Sequence, residues 1–141
     1  MAALILSDII DRFEAVLEAS PLSFKHSKEP FSFDRQPNTV INDAYRIEDG
    51  GLGSSRSATN SVAVRIDTLR VWIARKLAFD GQSAVETLQD TLVTIERYLK
   101  ADGKAQGYHV EITGRDMKRV GDLAMASIDF SVDYDFSEAV A

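Results

Sequence analysis

The residues from Ala124 to Phe136 alternate almost without error. Ala124, Ala126, Ile128, Phe130, Val132, Tyr134 and Phe136 fall on one face, and Ser127, Asp129, Ser131, Asp133 and Asp135 on the other. This is the two-residue period of a strand with one buried and one acidic face. A strand of this kind needs a sheet to lie in and a second layer to cover its apolar side. It therefore constrains the fold more than any other segment.

The remaining pattern predicts that second layer. From Leu4 to Ala19 the apolar residues Leu6, Ile9, Ile10, Phe13, Val16 and Leu17 recur at three- and four-residue intervals, which predicts an amphipathic helix closed by Ser20-Pro21. Ser83-Ala84-Val85-Glu86 has the form of a capping box. The stripe Val85, Leu88, Leu92, Ile95 and Leu99 follows it, with Asp102-Gly103 as the expected stop. Leu22 to Asn42 holds Pro30, Pro37 and scattered phenylalanines, and reads as an irregular crossing with at most a short strand.

Ala44 to Glu48 is expected to be a short strand and Ser61 to Ala78 a long one. Between them, Asp49 to Asn60 is rich in glycine and serine and predicts a long mobile hairpin loop. Val62, Val64 and Ile66 share one parity, whereas Leu69, Val71 and Ile73 share the other. A bulge or sharp twist near Asp67 and Thr68 would restore a single buried face. A helix from Leu69 to Leu77 competes, but the run Val71, Trp72, Ile73 favours strand. Tyr108 to Thr113 predicts a further strand and Gly114 to Asp122 a polar turn before the last one. The expected fold is α+β: a mixed, mainly antiparallel sheet packed against two amphipathic helices, in the order α-β-β-α-β-β, with a mobile loop in the first hairpin.

The 141 residues fit one domain, residues 1–141, large enough to bury a core without metal or disulfide. There is no cysteine, which removes thiolate metal sites and cysteine nucleophiles. A net charge of -6 disfavours simple attraction to nucleic acid or an anionic membrane. No apolar run approaches the roughly 20 residues of a membrane span. Met1 to Leu6 has no basic leader and does not read as a signal peptide.

Motifs of chemistry are weak. Gly50-Gly51-Leu52-Gly53-Ser54-Ser55 lacks the lysine of a phosphate loop and a following helix. Asp129, Asp133 and Asp135 share a strand face, but residues two apart stand about 6.6 Å from one another, so a cation would need ligands from elsewhere. A solvated face, or one matched by Arg65, Arg70, Arg75, Arg115, Lys118 or Arg119, is the simpler reading. His109-Val110-Glu111 has a spacing used by zinc deaminases, without the cysteines that chemistry requires. No cofactor and no catalytic set is expected. By parity Trp72 points away from Leu69, Val71 and Ile73, beside Arg70, either packed or at a subunit contact.

The first helix, the hairpin, the strand ending Leu69-Arg70-Val71-Trp72-Ile73-Ala74-Arg75-Lys76, the helix Ala84 to Leu99 and the closing strand Ile128 to Tyr134 together resemble the tail terminator, or tail completion, proteins of long-tailed bacteriophages. The resemblance is one of element order and texture over most of the chain. It implies a non-enzymatic virion protein of the tail neck, assembled in the host cytoplasm. Such a subunit forms a hexameric ring on the tail tube protein, ends tube growth and offers a surface to the head-side connector or stopper protein. DNA would pass through its channel as cargo only, and no membrane would be involved. By position the resemblance assigns Gly50, Gly51, Leu52, Gly53 and Arg56 to contact with the tube or a neighbour. It assigns the acidic face of Asp129, Asp133 and Asp135 to an inter-subunit surface or the lumen; Arg70, as a charge complement, and Trp72, by strand parity, join them as interface candidates. A flexible loop that orders only on docking would keep the subunit monomeric until a tube end is present. The alternatives are another neck or tail component, such as a head-side stopper, tube or minor tail subunit, or a small-ligand-binding α+β domain.

Overall fold

The computed structural model describes residues 6–19, 22–27, 43–59, 62–76, 81–120 and 123–135. The elements are α1 (Leu6–Glu18), β1 (Lys25–His26), β2 (Ala44–Thr59), β3 (Val62–Lys76), α2 (Gly81–Gln106), β4 (Tyr108–Val120) and β5 (Leu123–Asp135). They build an α+β fold in which one five-stranded sheet has the order β1-β2-β3-β5-β4. Among the described residues only the β1–β2 pairing is parallel, through Lys25 opposite Ala44 and His26 opposite Tyr45.

The helices cover one face because each carries one apolar stripe. Ile9, Phe13 and Leu17 of α1 and Leu88, Leu92, Ile95 and Leu99 of α2 are buried against Leu69, Val71 and Ile73 of β3 and Ala126, Ile128, Phe130 and Val132 of β5. Phe13 meets Phe130 edge-to-face, with ring centroids 5.5 Å apart, a favoured aromatic geometry. The alternation of the last strand thus places its apolar residues under the helices. A smaller cluster lies on the opposite face, where Ala44, Trp72, Ala74, Leu123 and Met125 are buried together.

Two parts of the first hairpin differ from the sequence expectation. Asp49 to Thr59 is not a loop, because its backbone continues β2 alongside β3. The glycines are accommodated by bulges: Gly50 and Gly51 fall between the pairs Asp49–Leu69 and Leu52–Asp67, and Gly53 between Leu52–Asp67 and Ser54–Ile66. A glycine inside a strand often marks a bulge of this kind. The expected bulge near Asp67 is also absent from β3, whose pairing with β5 runs unbroken from Val64 to Lys76. The parity break is instead real, for Asp67 sits fully buried on the helix-covered side and accepts a hydrogen bond from the Tyr134 hydroxyl at 2.5 Å.

The remaining differences are boundaries. Gly114 to Val120 is not a turn but the second half of β4, interrupted by a register shift between Ile112 and Gly114. Edge position explains why its apolar alternation is weak, since a strand paired on one side can keep most of its side chains in water. Helix α2 starts at Gly81, ahead of the Ser83 capping pattern, and runs past Asp102-Gly103 to Gln106. Its stop is Gly107, in the left-handed region at φ 97, where glycine is the preferred residue. The crossing from Leu22 contributes β1 at Lys25–His26, and its Pro30 and Pro37 lie outside the described residues.

Candidate functional site

The sheet face opposite the helices carries the charged residues that the sequence singles out. Glu48 of β2, Arg70 of β3 and Asp129 of β5 stand in one cross-strand row. The Arg70 guanidinium donates from Nε to Asp129 Oδ1 at 2.6 Å and from Nη2 to Oδ2 at 3.3 Å. These hydrogen bonds, opposed by partial burial and aided by the charges of Asp129 and Glu48, raise the Arg70 pKa above its ordinary value. Gly114 of β4 completes the row, and a Cβ there would lie 3.6 Å from Asp129 Oδ2.

The next row brings Arg46 opposite Trp72. The Trp72 indole donates from Nε1 to Glu48 Oε2 at 2.8 Å, and Arg46 Nη2 reaches the same oxygen at 3.3 Å. The Arg70 guanidinium lies 5.7 Å from the Trp72 ring centroid, within cation–π range. Trp72 is nevertheless only 6% exposed. The condition for a tryptophan-centred subunit contact, an exposed ring, is therefore not met; its rim holds Glu48 and Arg70 in place instead.

Of the residues expected at an interface, the structure brings Arg70, Trp72 and Asp129 into one network. Asp133 lies farther along β5, opposite Ile66 and His109, and Asp135 pairs with Val64 at the end of β5. Gly50, Gly51, Leu52, Gly53 and Arg56 belong to β2 and pair along β3, so docking that orders a free loop is not available to them. His109 and Glu111 contact each other at 3.2 Å, both exposed. Among the described residues no group of three or more His, Asp or Glu side chains is arranged to hold a metal ion.

Two features escaped the sequence. Asp102 accepts hydrogen bonds from Arg12 Nη2 at 2.6 Å, Arg12 Nε at 3.2 Å and the Tyr108 hydroxyl at 2.5 Å, tying α1 to α2 and β4. Burial opposes its charge, but these donors outweigh burial and hold its carboxyl below the ordinary value of 3.8. Burial, then the bond to Asp102, pushes the Tyr108 phenol well up. The second feature is a groove of about 400 Å³ between α2 and β4, lined by Gln89, Asp90, Leu92, Val93, Arg115, Asp116 and Met117. Val93, 40% exposed and one residue off the buried stripe, was its one legible signal.

Compared with known proteins, the chain matches no family model and no curated protein sequence.

Proposed function

We propose that this chain is a structural virion protein of the head–tail junction of a long-tailed phage. In this reading it forms a ring that caps the tail tube, ends tube polymerisation and provides the surface for head joining, without catalysis. The observation that carries the reading is the arrangement of the sheet. Both helices occupy one face, while the other bears the surface ion pair Arg70–Asp129, its two side chains 43% and 30% exposed. Charged rows on a subunit surface fix register and exclude wrong neighbours more than they add affinity.

The test is the native mass of the purified protein over a concentration series, with negative-stain images of the same samples alone and mixed with tail tubes. A closed six-fold ring, free or seated on tube ends, is expected. Open tubes built from this chain would make it a tube subunit, because a head-to-tail contact that does not close generates filaments. A protein indifferent to tubes at every concentration overturns the reading.

A further inference from the structure

The two edges of the sheet are built differently. Beyond the two residues that β1 covers, the outer edge of β2 is broken by register shifts at Asp49/Leu52, Leu52/Ser54 and Ser57/Thr59. Repeated bulges on an edge strand prevent further pairing. The opposite edge, β4, is 13 residues long with one shift, and among the described residues no strand pairs with its outer side. Its residues His109, Glu111, Thr113, Arg115, Asp116, Lys118 and Arg119 are exposed.

Charges on an edge usually repel other strands, but on β4 one register sets Glu111 of each copy against Lys118 of the other. When a strand pairs with its own copy about a two-fold axis perpendicular to the sheet, partners share a face, so an unbroken strand must pair positions of equal parity. The shift between Ile112 and Gly114 reverses parity part-way along β4. A residue before it must then pair with one of opposite parity after it. The register that sets Glu111 opposite Lys118 and Ile112 opposite Met117 satisfies this rule. Glu111 and Lys118 both lie on the face away from the helices, in line with Ser131 and Met125 of β5. Ile112 and Met117 both lie on the helix-covered face, half-buried against the core.

We propose that β4 is a self-association edge, joining two copies antiparallel into one continuous sheet about an axis through Arg115, with Thr113 the extra residue in each copy, Gly114 opposite Asp116 and Arg115 opposite its own copy. Each contact then carries two Glu111–Lys118 ion pairs and two Ile112–Met117 apolar pairs. The groove beside the axis, lined by Leu92, Val93 and Met117, receives the Ile112 side chain of the second copy and covers the exposed Val93. The contact goes beyond the ring reading and does not depend on it, since an isologous interface closes at two copies whereas a ring needs a head-to-tail one.

The chain has no cysteine, so a cross-link is unambiguous. In the double variant E111C/K118C the two thiols of one chain stand about 20 Å apart along β4, beyond the reach of a disulfide. A disulfide-linked dimer on a non-reducing gel is expected. In native mass measurements E111K weakens dimerisation roughly tenfold, each copy contributing one like-charge pair, and the swap E111K/K118E restores it. A chain monomeric up to about 1 mM and uncross-linked overturns the proposal. So does a dimer that E111K leaves unchanged, or a six-fold ring in which E111C/K118C fails to cross-link; that last result leaves the ring reading standing.

Discussion

The Tyr108 hydroxyl donates to Asp102 at 2.5 Å across the turn that ends α2, while Arg12 grips the same carboxylate from α1. One acidic side chain thereby fixes the angle of both helices to the first residue of β4. Asp102→Ala removes the acceptor of three hydrogen bonds and leaves the buried Tyr108 hydroxyl without it. A loss of about 2–3 kcal/mol in unfolding free energy by urea titration is expected, since hydrogen bonds to charged groups exceed neutral ones. Unchanged stability would show that the helices are held by apolar contact alone.

The same carboxylate predicts an acid response. Its pKa is lowered in the folded protein from an ordinary value of 3.8, burial being outweighed by the Arg12 and Tyr108 donors. A depressed carboxylate contributes stability that is fully present above the unfolded value and is lost as pH falls through the folded one. Below about pH 4, stability should therefore fall less steeply in Asp102→Asn than in the wild-type chain. Parallel curves for the two proteins between about pH 2 and 5 would contradict this.

Gly103 is buried in α2, where a Cβ would run into the Tyr108 carbonyl oxygen. Alanine ordinarily improves a helix by about 1 kcal/mol over glycine. Here the clash with backbone prevails, and Gly103→Ala should cost roughly 1–3 kcal/mol, as overpacking does. Thermal denaturation of the variant reports the sign directly.

Tyr134→Phe removes the hydroxyl that donates to the fully buried Asp67. A loss of about 1–3 kcal/mol is expected from a desolvated acceptor losing this donor. A variant as stable as the wild type would mean that the Asp67 carboxyl is adequately held by its other surroundings.

Arg70 and Trp72 should separate sharply. Arg70→Ala breaks a pair whose side chains are 43% and 30% exposed, so stability changes by less than about 1 kcal/mol. The emission of Trp72, the sole tryptophan, should shift, because the guanidinium lies over its ring. Trp72→Ala, by contrast, empties the second apolar cluster and should cost about 3–5 kcal/mol. Equal losses in the two variants would contradict the burial assigned to Trp72.

Period and stripe in the sequence determined both helices, the inward face of β5 and the α+β class, because burial against a covering layer leaves its repeat directly in the chain. Leu88, Leu92, Ile95 and Leu99, or Ile128, Phe130 and Val132, carry that repeat with little interruption. Only the tertiary structure decided the path of Asp49 to Thr59. Local composition favours a loop there, but pairing with β3 satisfies the backbone groups on that side and the bulges absorb its glycines. Likewise Gly114 to Val120 reads as a turn until β5 lies beside it. Asp102, distant in sequence from Arg12 yet bonded to it, and the buried Asp67 under Tyr134, have no local signature. Their partners are set by which strands and helices become neighbours, a property of the whole chain and of no single window within it.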